Sequence, residues 1–97
     1  MDGKAGERSI ADWRQDIDRI DAELVKLLNQ RAQCALAIGA IKRRERQPVH
    51  VPEREKDVLA RVSAMSTGPL PGPSIQAVYE TIMSQMRALE DALGRSA

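Results

Sequence analysis

A helical pattern of apolar positions dominates the first half of the chain. From Ser9 to about Arg46 there is no proline, and the only glycine is Gly39. Apolar residues recur at steps of three and four, at Ile10, Trp13, Ile17, Ile20, Leu24, Leu27, Leu28, Ala35, Ile38 and Ile41. This spacing predicts one amphipathic helix of roughly ten turns, with Ser9 as its N-cap and Asp12 as the acidic partner of that cap. The alternative is two helices with a break at Gly39.

Prolines mark the end of this helix and the start of a second one. Pro48 ends the first helix at or before Gln47, because the residue before a proline is pushed out of helical geometry. Pro52 suits the first turn of a second helix, which we expect to run to about Met65. The apolar face of that helix consists of Val58, Leu59 and Val62.

A second proline-rich segment, STGPLPGPS at residues 66–74, predicts another connection. Ser74 can cap a third helix that runs to about Leu93. Its expected inward side chains are Ile75, Val78, Tyr79, Ile82, Met86 and Leu89. No segment alternates between apolar and polar residues as a strand does. We therefore expect a single all-α domain over residues 1–97, with three helices and an ordered core at about 9–93.

The length of the first helix predicts an oligomer. At ~1.5 Å per residue it would be over ~50 Å long, whereas a folded chain of about 100 residues has a radius of gyration of only ~13 Å. A helix of that length needs another chain to cover its apolar stripe. The sequence therefore predicts an intertwined homodimer.

Composition excludes several classes of function. The 15 basic and 14 acidic residues balance, and with one Trp, one Tyr and no Phe there is little to stack on bases, so we expect no nucleic-acid partner. No apolar run approaches the ~20 residues that span a bilayer, and the N-terminus lacks the apolar core of a signal peptide. One cysteine suits a reducing, cytoplasmic setting. A lone His50 gives no metal-ligand cluster, and we expect neither a metal nor a cofactor.

Two cations occupy apolar positions of the first helix. The stripe reads Leu24, Leu28, Arg31, Ala35, Ile38 and Lys42. Eleven steps of 100° return Lys42 to nearly the face of Arg31, about 16 Å away along the axis, so both head groups can converge on a small anion. Buried cations are costly unless they are paired. The alternatives are extension of each side chain to solvent at the edge of the stripe, or pairing with a carboxylate of another helix.

Other charges carry weaker signals. Arg14 lies near the stripe but too far from Arg31 of the same helix to share one small ligand, although an antiparallel partner helix could bring it close. Arg54 and Glu55 open the second helix at the end that attracts anions, and ordinary first-turn charge is the alternative. Glu90 continues the inward face of the third helix from Met83 and Met86, where it is protonated, paired or simply exposed.

Four segments together resemble the all-helical chorismate mutases. They are WRQDIDRIDAELVKLLNQR, AIGAIK, PVHVPERE and YETIMSQMRALE, in order and with the family's spacings over about residues 10–92. The resemblance implies an intertwined dimer with shared active sites. It also implies conversion of chorismate to prephenate, a pericyclic [3,3] rearrangement, without a cofactor.

The resemblance also implies a role for each of the charged residues. Arg14 reaches into the partner's site and Arg31 is a second carboxylate ligand, while Lys42 grips the substrate and donates to its ether oxygen. Arg54 matches the family's arginine at the start of the second helix. The adjoining Glu55 accepts from the ring hydroxyl. The family places a further Gln or Glu at the ether oxygen, and here that residue is Glu90.

Two positions depart from the family pattern. Val51 stands where some members have an aspartate, and a backbone contact can serve there. Met86 stands where some have a serine, which changes the packing around the ring. Related substrates, 4-amino-4-deoxychorismate or isochorismate, remain alternatives, with a mutase or lyase acting on them. A non-catalytic helical dimerisation module is the other alternative, but it gives no reason for Arg31 and Lys42 on the stripe.

Overall fold

The computed structural model describes residues 6–96, and in this range the chain forms three helices and no strand. Helix α1 spans Ile10–Arg44, α2 spans Pro52–Met65 and α3 spans Gly72–Ser96. The all-α prediction is confirmed, and α1 continues through Gly39 without a break. The first five residues and Ala97 of the predicted domain lie outside the described residues. By its contacts the chain divides into two units between Gln33 and Cys34.

A reciprocal pair of hydrogen bonds begins α1 in the first unit. The Asp12 amide donates to the Ser9 hydroxyl oxygen at 3.1 Å, and the Ser9 amide donates to Asp12 Oδ2 at 2.9 Å. This is a capping box with Asp in place of the usual Glu, and it confirms Ser9 as the N-cap. The pKa of the Asp12 carboxyl is below its usual value, mainly because of the hydrogen bond from the Ser9 amide and secondly because of the interaction with the Ser9 side chain.

Arg8, which precedes α1, contacts side-chain and backbone groups in the first two turns of that helix. Its guanidinium pairs with Asp16 and donates to the Asp12 carbonyl at 3.1 Å. It also lies 4.1 Å from the centre of the Trp13 ring, within cation–π range. Asp16 pairs with Arg19 as well. The hydrogen bond from Arg8 is the main reason why the pKa of Asp16 is lowered.

The apolar side chains of the first unit are exposed. The exposed positions are Ile10, Trp13, Ile17, Ile20, Leu24, Val25, Leu27 and Leu28. Leu24, in the middle of the predicted stripe, keeps 50% of its surface accessible. Between residues 6 and 33 no side chain is buried. Hydrophobic burial within this unit therefore contributes little to the stability of its helix.

In the second unit α1 ends in a Schellman motif. The Gln47 amide donates to the Lys42 carbonyl at 2.8 Å, and the Arg46 amide donates to the Arg43 carbonyl at 3.3 Å. Arg46 takes the left-handed conformation, with φ of 59°. Glycine usually fills this position, since a Cβ there costs about 1 kcal/mol or more.

The core of the second unit lies between α2 and α3. Its buried members are Val58, Val62 and Met83, with Leu59, Ile75 and Tyr79 packed against them, and Met86 is also buried. The predicted face of α2 is confirmed. On α3 the expected inward positions Met83 and Met86 are buried, whereas Val78 and Leu89, which were also expected to face inward, are 53% and 37% exposed.

Helix α3 begins earlier than the sequence predicts. The Pro71 carbonyl accepts from the amides of Ser74 and Ile75, at 3.0 and 3.2 Å, so Ser74 lies in the first turn rather than at the cap. Prolines fit here because their fixed φ is already helical and the first turn needs no amide donor. The helix also extends beyond Leu93, to Ser96.

The start of α3 lies against the end of α2. A Cβ placed on Gly72 would lie 2.6 Å from the Ser63 hydroxyl oxygen and 2.8 Å from the Ser63 carbonyl oxygen. Both distances are shorter than a carbon atom tolerates. Glycine at this position therefore allows the two helices to approach this closely.

Candidate active site

Lys42 lies in the last turn of α1 with its side chain half-buried. Its ammonium donates to the Val49 carbonyl at 3.4 Å, a long hydrogen bond to the connection that leads into α2. That carbonyl is neutral, so the positive charge of Lys42 is held in place without being cancelled. A cation in this state can bind an anionic group of a ligand.

Glu90 is largely covered on α3. Its side chain is only 13% exposed, so the alternative that it is simply a surface acid is wrong. Its Cγ lies 4.0 Å from the position that a Cβ on the buried Gly39 would take. Gly39 and Lys42 are three residues apart, on one face of α1. Glu90 therefore lies alongside the face of α1 that carries Lys42.

A histidine from the connection contacts the same stretch of α3. His50 Nε2 lies 2.9 Å from Asp91 Oδ1, and His50 Nδ1 lies 3.9 Å from Glu90 Oε2. This pairing holds residues 48–51 against α3. Because the connection also bonds Lys42 through Val49, it links the two predicted catalytic residues, Lys42 and Glu90.

Val51 is the N-cap of α2 and acts through its backbone. Its carbonyl accepts from the amides of Arg54 and Glu55, at 3.1 and 3.2 Å, and its extended φ of −122° and ψ of 98° turn the chain into the helix. A valine side chain cannot cap. Pro52 at the first helical position confirms the predicted start, and the exposed Arg54 side chain follows in the first turn.

Glu55 is paired across the core with a residue that the sequence did not single out. Arg87 Nη1, on α3, lies 2.7 Å from both carboxylate oxygens of Glu55. Met86, the residue before Arg87 in the sequence, is buried at 9% exposure.

The second unit therefore brings together five of the predicted site residues in two groups. Lys42 and Glu90 meet through the connection and Gly39, whereas Val51, Arg54 and Glu55 meet at the first turn of α2. Met86 is buried on α3. The first unit holds the two remaining arginines. Arg14 is exposed and Arg31 is half-buried.

Sequence reasoning missed His50, Asp91 and Arg87. Arg87 had a signal, since it follows Met83 by four residues on the inward face of α3 and is a cation in an apolar position. His50 had none, because its pairing joins positions 41 residues apart. Of residues 6–96, no three His, Cys, Asp or Glu side chains could together hold a metal ion. No described helix is long and apolar enough to cross a membrane.

Comparison with known proteins identifies the family. The sequence profile described as chorismate mutase type II matches residues 13–91. The chain belongs to this family. Among curated proteins, the bifunctional chorismate mutase/prephenate dehydratases of Neisseria gonorrhoeae and Aquifex aeolicus are 45% identical over 80 residues and 36% over 85. These alignments cover 82% and 84% of the chain but 22% and 24% of the two relatives, so the chain spans about a quarter of their length.

Solved structures of chorismate mutases have the same fold as the chain. Chorismate mutase (Form II) from Thermus thermophilus superposes with a TM-score of 0.82 at 29% identity, covering 84% of this chain and 93% of that one. The chorismate mutase from Helicobacter pylori, solved in complex with prephenate, gives 0.82 at 28% identity over 91% and 96%. The all-helical chorismate mutase resemblance and the three-helix fold class are thus confirmed.

Proposed function

We propose that the chain is a chorismate mutase that converts chorismate to prephenate on the route to phenylalanine and tyrosine. The observation that carries this proposal is the family match over residues 13–91. The prephenate complex of the Helicobacter pylori relative supports the choice of ligand. The half-buried Lys42 beside the covered Glu90 suits a reaction that needs positioning and electrostatics alone.

The chemistry requires two kinds of contribution. Chorismate carries two carboxylates and is flexible, so it must first be held with its enolpyruvyl group over the ring. In our proposal Arg31, Arg54 and the partner subunit's Arg14 bind the carboxylates, and Glu55 accepts from the ring hydroxyl. This restraint lowers the entropic part of the barrier. Val51 contributes backbone groups and Met86 an apolar wall.

The second contribution is stabilisation of charge. As the C–O bond breaks, negative charge develops on the ether oxygen. Lys42 and a protonated Glu90 donate to that oxygen, and both bonds are stronger in the transition state than in the ground state. Glu90 must carry its proton, because an ionised carboxylate has only acceptors. Glu90→Gln keeps a donor at this position and should therefore stay active.

The enzyme is proposed to be a homodimer, with residues 1–97 as one domain in each subunit. The exposed apolar side chains between Ile10 and Leu28 form the surface that a second copy would cover. A dimer also allows Arg14 to serve the site of the other subunit. The single cysteine suits a cytoplasmic setting.

A substrate panel tests the function. Purified protein is incubated separately with chorismate, isochorismate and 4-amino-4-deoxychorismate, and the products are identified by chromatography and mass spectrometry. We expect prephenate from chorismate and no comparable turnover of the other two. Lys42→Met, which keeps the length of the side chain, is the matched inactive control. If only isochorismate or 4-amino-4-deoxychorismate is converted, the chain is a related mutase or lyase. If none of the three is converted, the proposal is refuted.

A further inference from the structure

The pair between Arg87 and Glu55 is not explained by the stability of the fold. It joins the first turn of α2 to the middle of α3, across 32 positions of sequence. The two side chains are 38% and 32% exposed. Ion pairs this accessible to water contribute little to stability, because the solvent screens them and ordering both side chains costs entropy. The contact instead restrains the orientation of the Glu55 carboxylate.

That geometry restricts one carboxylate closely. A single nitrogen, Arg87 Nη1, is 2.7 Å from both oxygens, so it lies equally close to each and fixes the direction in which the carboxylate points. A carboxylate has about four lone-pair sites, and this contact uses those that face the guanidinium. The outer lone pairs stay available to accept from a ligand. Neither Arg54 nor Lys56 can replace Arg87, because adjacent residues of a helix do not face each other.

We propose that Arg87 is a positioning residue, which holds the Glu55 carboxylate in the orientation that accepts the hydroxyl of the bound substrate. This inference rests on the proposed function, in which Glu55 binds that hydroxyl. Arg87 itself touches no reacting atom. Its effect is to remove the rotational freedom of a glutamate that would otherwise have to be ordered when the substrate binds.

A double-mutant cycle on the intact chain tests the inference. Arg87→Met keeps the stem and removes the guanidinium, Glu55→Gln removes the acceptor charge, and the double variant combines them. We expect Arg87→Met to lower kcat/KM roughly 10- to 100-fold, and Arg87→Lys, which restores a cation, to recover part of the loss. In the Glu55→Gln background Arg87→Met should change kcat/KM by less than about twofold. Arg61→Met, an exposed arginine of α2, is the matched control and should keep wild-type kinetics.

The outcomes separate the two proposals. If the wild type does not turn over chorismate, or if Glu55→Gln is fully active, the proposed function or the role of Glu55 fails. If Glu55→Gln is impaired and Arg87→Met has the same effect in both backgrounds, Glu55 keeps its role and the inference about Arg87 is overturned. If far-UV circular dichroism shows that Arg87→Met is unfolded, the cycle is carried out with Arg87→Lys instead. An equal effect of Arg87→Lys in both backgrounds then overturns the inference.

Discussion

The two units of the chain are ordered by different kinds of interaction. In residues 6–33 the apolar side chains of the helix are exposed, and the polar contacts are local: the capping box of Ser9 and Asp12, and the ion pairs of Arg8 and Asp16. Residues 34–96 bury Val58, Val62, Met83 and Met86, and their polar contacts join α3 to α2 and to the connection before α2.

This difference indicates where each unit obtains its stability. Local caps and ion pairs that water can reach contribute too little to stabilise a long helix by themselves. A unit with its own core can be stable without a partner surface, whereas a helix with an uncovered stripe depends on one. The comparison therefore predicts that substitutions on the first unit act through the dimer, and those on the second through the chain's own packing.

The largest effect is expected from a charge on the exposed stripe. Leu24 is half exposed in the single chain, where a surface substitution should change stability by no more than ~0.5 kcal/mol. If a second copy covers it, Leu24→Glu buries an unpaired charge and should cost at least ~3 kcal/mol, with loss of the dimer in sedimentation equilibrium. Gln15→Glu, on the opposite side of α1, adds the same charge and should remain dimeric. A dimeric Leu24→Glu with wild-type melting would contradict the comparison.

Mixing two inactive variants tests whether the first unit contributes residues to shared active sites. Arg14→Ala and Arg31→Ala each remove a proposed carboxylate ligand, and a charged hydrogen bond is worth roughly 1.5–3 kcal/mol, or about 10- to 150-fold in kcat/KM. Heterodimers of the two variants should regain one intact site, made from Arg14 of one subunit and Arg31 of the other. Exchange is followed by tagged subunits and activity by product formation. Complete exchange without recovery would argue against shared sites.

Two glycines of α3 test the second unit, with opposite signs. Gly72→Ala forces a Cβ into the Ser63 backbone and should destabilise the chain by about 1–3 kcal/mol. At Gly94 a Cβ would lie 3.6 Å from Arg43 Nη1, an ordinary contact. Gly94→Ala should therefore stabilise by up to ~1 kcal/mol, since alanine favours helix. Thermal denaturation measures both, and equal shifts would refute the close approach at Gly72.

The smallest expected effect is an acid-dependent loss at the start of α1. Because the bond from the Ser9 amide lowers the pKa of Asp12 below its usual 3.8 in the folded state, the ionised carboxylate stabilises the helix above that pH. The contribution is lost as the pH falls through the folded pKa. Asp12→Ala should therefore be less helical than wild type at about pH 7 and equal to it near pH ~2, by far-UV circular dichroism. An equal deficit at both pH values would contradict the capping role.

Much of the fold followed from local signals. The bounds of α2 were predictable because Pro52 fixes the start and the next connection fixes the end. The start of α3 was missed because prolines in a row were interpreted as a connection, although their φ is compatible with a first helical turn. Both Val78 and Met83 were expected to face inward, and which of them lies against α2 depends on how α3 rotates, which no local pattern fixes.

The candidate site was predictable for the residues in its motifs and not for their partners. Lys42 and Glu90 were recognisable as charges in apolar positions. The pairs of Glu55 with Arg87 and of His50 with Asp91 join positions 32 and 41 apart. Such pairs are set by the packing of whole helices, so periodicity along one helix cannot find them.

The left-handed backbone at Arg46 has a consequence for the mutational tolerance of the whole chain. An arginine there carries a conformational cost of about 1 kcal/mol that glycine would not. Natural proteins lie close to their threshold of stability, so this amount decides how many mildly harmful substitutions elsewhere the fold survives. Arg46→Gly would thus be a favourable background in which to evolve new specificity around Lys42, whose carbonyl accepts a hydrogen bond in the same helix end.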